Sequence, residues 1–192
     1  MIKRELYMSR IRPFIGTELI KVMTGIHRCG KSVMLELIKQ ELTESGVSPS
    51  QFISINFEDM SYSHLQTAQA LHDEITKRAA EIEGKVYLFF DEIQEVKDWE
   101  KCINSFRVSL DCDIYITGSN AKLLSGELAT YLGGRYVEFV IYPFSFGEFM
   151  ELYHSITPDA SIQQCFQKYL LTGGMPYLAN LRYTDAQIGR AS

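Results

Sequence analysis

The chain of 192 residues lacks long apolar runs, an excess of positive charge, and any spaced set of metal-binding side chains. Its apolar stretches, such as Val86–Phe90, are far shorter than the roughly 20 residues that span a bilayer as a helix. Lys and Arg number 19 against 24 Asp and Glu, a net charge of −5, so the basic footprint of a nucleic-acid-binding domain is missing. The four cysteines (Cys29, Cys102, Cys112, Cys165) form no CxxC pair, and the four histidines (His27, His64, His72, His154) form no i, i+4 pair. Neither a disulfide framework nor a protein-ligated zinc site is therefore expected, and three of the cysteines are expected to pack as small apolar residues. The first twenty residues carry Lys3, Arg4, Glu5, Arg10 and Arg12 without an apolar core, unlike a secretory signal. The expectation is a cytoplasmic protein with no membrane contact. What is present is ordinary globular composition, 46% hydrophobic and 22% charged, in a length suited to one domain or one domain and the start of a second.

Apolar periodicity alternates between two kinds. Five β-type runs, Leu19–Thr24, Phe52–Asn56, Val86–Phe90, Ile114–Thr117 and Tyr136–Ile141, are separated by helical patterns. The first helix is expected over Ser32–Ser45, with Leu35, Ile38 and Leu42 on one face and Gly46 as breaker. A second is expected over His64–Glu83, a third through Trp99, Cys102, Ile103, Phe106 and Leu110, and a fourth through Leu124, Leu128, Tyr131 and Leu132. Strands alternating with helices imply a parallel sheet covered on both faces, with ligands at the carboxyl ends of the strands. After Pro143 the period stays helical: Ser145-Phe-Gly-Glu148 has capping-box spacing, and a further helix runs through Ile162, Cys165, Phe166 and Tyr169. The expected domains are an α/β core at 1–142 and a helical segment at 143–192.

Gly25-Ile26-His27-Arg28-Cys29-Gly30-Lys31-Ser32 fits G-x-x-x-x-G-K-[ST], between an apolar strand and a helix as that motif requires. Gly25 and Gly30 permit backbone angles that turn N–H groups inward on an anion, and the positive end of the next helix points there too. Lys31 supplies a point charge for outer phosphates, and the Ser32 hydroxyl can complete a magnesium shell. With Val33, these residues are the candidate nucleotide-binding segment. The buried-type strand Val86–Phe90 ends in Asp91-Glu92. Asp91 is the candidate magnesium ligand, and Glu92 the candidate base that orients or deprotonates a water for attack on a γ-phosphate. A solvated strand end alone would explain two acids; joined to the phosphate loop they supply complementary parts of one reaction. At the end of the fourth strand, Ser119 or Asn120 is placed to contact the γ-phosphate or the water, or else caps the next helix. Asn56, at the end of the second strand, is a candidate switch holding Glu92 in a resting orientation, or a plain strand exit. Cys29, beside Arg28 at a helix N-terminus, is in a setting that lowers a thiol's pKa.

These motifs in this order resemble the AAA+ branch of P-loop ATPases. More closely, Lys21–Ser32, Asp91-Glu-Ile-Gln94 with Trp99-Glu100, Tyr115–Ala121, Leu132-Gly-Gly-Arg135 and Pro143-Phe-Ser-Phe146 resemble a bacterial and archaeal family of predicted AAA+ ATPases that carry a C-terminal domain of unknown function. The resemblance implies an α/β P-loop fold with a five-stranded parallel sheet ordered 5-1-4-3-2, flanking helices, the start of a small helical lid, and ATP with Mg2+ as ligands. It also implies that Arg135 stands at the arginine-finger position, where it would act in trans in a homo-oligomer; a surface Arg after a Gly-Gly stop is the alternative. Gly173-Gly-Met-Pro176 resembles the GxP turn of related signalling ATPases, or is a connecting turn. His27 departs from the Arg common in the group. Members usually continue for about as many residues again, so the lid is expected to be truncated here.

The activity implied is Mg-dependent ATP binding and hydrolysis to ADP and phosphate, coupled to an unidentified effector protein. An ATP-binding switch with little turnover is the second reading, and a small-molecule kinase the third. Only Arg182 and Arg190 occur after Tyr142, few for the Arg-rich lid of such a kinase. Nothing in the segment supports a nucleic-acid partner.

Overall fold

Five apolar runs pair side by side into a single parallel sheet, in a computed structural model that describes residues 2–119 and 132–176. The strands are β1 (Ile20–Gly25), β2 (Phe52–Asn56), β3 (Val86–Asp91), β4 (Cys112–Ser119) and β5 (Tyr136–Val140), in the order β2-β3-β4-β1-β5. This is the expected 5-1-4-3-2 order, read from the opposite edge. Every residue of β1 and β3 is buried, which is why these strands read as near-continuous apolar runs instead of alternating ones. Because all pairings are parallel, the carboxyl ends of the strands share one edge. Strand β4 lies between β1 and β3, so the segment leaving β1 and the acids ending β3 flank it on either side.

Helix α1 (Glu5–Ile11) precedes the sheet and buries Tyr7, Met8 and Ile11; it has no counterpart in the expected elements. Helix α2 (Lys31–Glu44) buries Met34, Leu35, Leu37, Ile38 and Leu42, and the chain turns at Gly46 with φ 100°. The expected helix over His64–Glu83 is corrected. Residues Met60–Leu65 form a 3-10 helix, and α3 (Ala68–Ala79) begins only after Thr67. The Thr67 backbone is extended and bridged to Lys97, while its hydroxyl accepts from Ala70 N, so a helix cannot run through it. Helix α4 (Trp99–Ser109) follows β3. Val86, Leu88, Phe90, Ile114, Ile116, Leu71, Ile75, Ile103 and Phe106 join in the main hydrophobic core, packing α3 and α4 on one sheet face. Each such side chain contributes about 1.5–3 kcal/mol by leaving water. On the alternate positions Phe89 stacks on Tyr115, with ring centroids 4.9 Å apart, and Lys39 of α2 lies over the Phe89 ring. Of the fourth expected helix, Leu124, Leu128 and Tyr131 lie outside the described residues; Leu132 is buried in the main core.

The chain divides into two compact units, one of Arg4–His27 with Lys31–Ile141, the other of Met1–Lys3, Arg28–Gly30 and Tyr142–Ser192. The second unit contains α5 (Phe146–Ile156) and α6 (Ile162–Thr172), each opened by a capping box, Ser145 with Glu148 and Ser161 with Gln164. Phe149 is fully buried between Phe144, Ile2 and the rings of Tyr153 and Tyr169. Gly174 approaches Phe144 so closely that a Cβ there would lie 2.2 Å from the Phe144 carbonyl oxygen, which explains a glycine at that position.

Candidate active site

The loop between β1 and α2 reverses the backbone sign twice. Gly30 has φ 105°, a conformation that a side chain disfavours, and Arg28 adopts φ 63° without being glycine. Reversals of this kind turn successive peptide N–H groups to one side. Ile26, His27 and Arg28 are exposed, Gly30 is half-buried, and Cys29 is fully buried. That burial removes Cys29 from the exposed, reactive setting its position had suggested. Of the other thiols, Cys112 lies 3.6 Å from Phe106 O and Cys165 3.5 Å from His154 Nε2, and burial pushes Cys102 up to about 12 and Cys112 up to about 11.

Lys31 opens α2 but is buried. Its ammonium donates to the carbonyls of Gly25 and Ile26 at 3.4 Å each and lies 3.2 Å from Glu92 Oε1. Asp91 and Glu92 are both buried as β3 leaves the sheet. Glu92 takes left-handed backbone angles (φ 54°, ψ 50°), unusual for a residue other than glycine, and this turns the chain sharply after the strand. Thr117 of β4 is fully buried between the two acids. Its hydroxyl donates to Asp91 Oδ1 and accepts from the Glu92 N–H at 3.0 Å. The register pairs Phe90 with Ile116, so the next step along both strands brings Asp91 beside Thr117. The other Glu92 oxygen, Oε2, accepts from Gln94 Nε2 at 2.6 Å.

Ser32, Val33, Glu36, Ser54, Asn56 and Asp91 are among the residues lining a groove of about 210 Å³ beside the start of α2. This volume suits a phosphate or a hydrated cation better than a whole nucleotide. The Ser32 hydroxyl and the Asp91 carboxylate are hard oxygen donors, the kind Mg2+ prefers, and Mg2+ ordinarily takes only one or two carboxylates beside water and phosphate. The residues present therefore fit that ion, and among the described residues no group of three or more His, Cys, Asp or Glu offers a softer site.

Asn56 shares the groove but does not bond Glu92. Its Oδ1 accepts from Glu58 N at 2.9 Å, closing the turn after β2 as a plain strand exit does. Ser119 ends β4 in register with Gly25, at the start of the phosphate loop, while Asn120 lies outside the described residues. Arg135 is exposed at the opposite edge, its carbonyl accepting from Ile20 N where β1 begins. Five strand steps of about 3.3 Å separate that level from Gly25, roughly 16 Å, beyond the reach of an Arg side chain toward its own loop. Sequence reasoning missed Thr117 and Gln94. The former would have followed from the sheet order and register, whereas the latter is adjacent in sequence and carried no chemical signal of its own.

A family model describing an AAA domain matches residues 17–150, a span that holds the whole sheet and every candidate site residue. An uncharacterised protein of Haemophilus influenzae is 41% identical over 176 residues, covering 92% of this chain and 44% of that protein. An uncharacterised protein of Methanocaldococcus jannaschii is 34% identical over 165 residues, covering 82% of this chain and 35% of that protein. The chain thus spans less than half the length of these relatives. Solved structures share the fold at low identity. The ORC1 protein of Aeropyrum pernix in complex with DNA has a TM-score of 0.58 at 13% identity, over 83% of this chain and 50% of that one. Saccharomyces cerevisiae Hsp104 in its casein complex has a TM-score of 0.59 at 15% identity, over 93% and 36%. A chain of the Escherichia coli HORMA:CdnC:Trip13 complex has a TM-score of 0.55 at 14% identity, over 86% and 63%. No helix among the described residues is long and apolar enough to cross a membrane. With a family match across 17–150 and this sheet order, the chain belongs to the AAA domain family, a branch of the AAA+ P-loop ATPases.

Proposed function

We propose that this module binds ATP with Mg2+ and hydrolyses it to ADP and phosphate. The observation that carries the proposal is the convergence of Lys31, Asp91 and Glu92 at one end of β1 and β3, with Ser32 and Asp91 lining one groove. In this reading the N–H groups from Gly25 to Val33 cradle the phosphates, and Lys31 bonds the outer ones as a point charge. Ser32 and Asp91 would hold Mg2+, which supplies neutralising charge for the polyphosphate. Glu92 accepts a proton from the water whose oxygen attacks the γ-phosphorus, while the bond to the ADP oxygen breaks and ADP leaves. Thr117 keeps the two acids in register, because its single hydroxyl serves both. Ser119, and Asn120 beyond it, would contact the γ-phosphate or the water. Asn56 borders the groove and would contact what lies there. Arg135, far from its own loop, would serve a neighbouring subunit's phosphate in a homo-oligomer. Residues 143–192 would form the beginning of a helical lid coupling nucleotide to an effector protein.

A second reading, an ATP-binding switch with little turnover, draws on the engagement of Glu92 by Lys31 and Gln94. One assay tests both. Phosphate release with Mg-ATP should fall about 100-fold in Glu92→Gln, the loss expected for a general base, while ATP binding persists. Equal release by both proteins would remove Glu92 from catalysis; tight binding without release by the wild type would favour the switch. In the same assay, mixed Arg135→Ala and Lys31→Ala chains should recover part of the activity, and no recovery at saturating subunit concentration would return Arg135 to an ordinary surface role.

A further inference from the structure

We propose that Gln94 is a positioning residue for Glu92, the group that fixes its carboxylate when a phosphate takes Lys31. The inference rests on the hydrolytic reading above and adds to it a residue that reading does not use. The two oxygens of Glu92 have different partners: Oε1 faces the Lys31 ammonium at 3.2 Å, and Oε2 accepts from Gln94 Nε2 at 2.6 Å. A carboxylate only accepts, so the side-chain amide must present its NH2 to Glu92, which fixes its orientation. Gln94 Oε1 is then buried and has no hydrogen-bond partner among the described residues. Turning the amide over would set Oε1 against the Glu92 carboxylate, acceptor on acceptor, so only the orientation that donates to Glu92 is compatible with its charge.

Lys31 cannot be the lasting support of Glu92. Its ammonium donates to Gly25 O and Ile26 O at 3.4 Å each and pairs with Glu92 Oε1 by charge at 3.2 Å, and a phosphate bonded to Lys31 competes for the same cation. Once that ammonium is shared with a polyanion, Glu92 faces like charge and loses its cation. The Gln94 bond does not involve Lys31, so it survives the exchange. It is also short-range by construction, because the 3-10 turn Ile93–Glu95 carries Gln94 back to a residue two positions earlier. Ile93 and Val96 on either side are buried in the main core, which anchors that turn. Asn56, the residue first considered for holding Glu92, is committed to Glu58 instead.

The test is Gln94→Leu, which keeps size and removes the donor, assayed for ATP affinity by calorimetry and for phosphate release. A bond to a charged group justifies expecting kcat to fall about tenfold, with ATP Kd changed less than about twofold. In a Glu92→Gln background the same change should add nothing, since the group being positioned is gone. Undiminished kcat in folded Gln94→Leu, or an equal loss with and without Glu92, overturns the positioning role. If Lys31→Ala still weakens binding more than about tenfold and Glu92→Gln still lowers release about 100-fold in those experiments, only the role of Gln94 falls and the hydrolytic reading stands. Should Gln94→Leu fail to fold, Gln94→Met removes the same donor on a flexible apolar chain and is held to the same two outcomes.

Discussion

Among the described residues the sheet contains two buried lysine–carboxylate pairs, one toward each end of its strands, and they are built differently. At the amino edge Lys21 of β1 meets Asp113 of β4, with both side chains fully buried. Lys21 also donates to Thr17 O at 3.0 Å and lies 5.2 Å from the centre of the Tyr115 ring, while Asp113 Oδ2 accepts from Gly16 N at 2.7 Å and Tyr115 O–H at 2.8 Å. Burial pushes the Lys21 ammonium below its ordinary range, opposed by the Asp113 charge, and pushes the Tyr115 phenol up. At the carboxyl edge Lys31 and Glu92 are separated by 3.2 Å, and the two carbonyl bonds of Lys31 lie near the long limit for a hydrogen bond. A saturated pair gains nothing from a ligand and ties down the chain around it. A loosely coordinated ammonium beside a groove gains a great deal from a phosphate. Two pairs of similar composition thus divide into a structural pin and a candidate grip.

Breaking the pin should have the larger effect on folding. Asp113→Ala leaves the Lys21 charge and the Gly16 N–H buried without their partner, and should cost about 3–5 kcal/mol in urea unfolding. The remaining folded protein should bind ATP as the wild type does, since the pair is at the far edge; a cost below about 1 kcal/mol, or an intact fold with lost binding, would erase the distinction. A smaller effect follows from pH. Cys102, Cys112 and Tyr115 have folded pKa values above their unfolded ones, the first two pushed up to about 12 and about 11. Their contribution is complete below pH 9 and is lost as pH rises through the folded values. Lys21, shifted down, contributes in the opposite direction, but it is set against four raised acids, Tyr87 among them, and the raised Lys85, which acts in the same direction as they do. The urea midpoint should therefore decline between pH 9 and 12, and a flat profile over that window would show that these groups are not buried as described.

The strands and the phosphate loop were legible because each has local pattern: apolar runs of strand length, Gly and Lys-Ser at set spacing, and two acids after a buried run; the strand order came only from the family resemblance. The pin was not legible, because Lys21 and Asp113 look like isolated charges in otherwise apolar strands until the β1–β4 pairing makes them neighbours. Thr117 was hidden for the same reason. Helix α1 is only 7 residues long, with charges at Glu5 and Arg10, and its three buried residues show no sustained period. The break at Thr67 depends on a bridge to Lys97, thirty residues on, which no local propensity signals. Arg28 with positive φ is a backbone property imposed by the loop, invisible in a residue type that tolerates it poorly.

The central claim is that the segment from Gly25 to Ser32 grips a polyphosphate through Lys31. Titration calorimetry with Mg-ATP tests it most directly, comparing the wild type with Lys31→Ala at matched folding. The account predicts that the substitution weakens binding more than about tenfold, the loss of one charge-assisted contact to phosphate. Equal affinity in both proteins would contradict it.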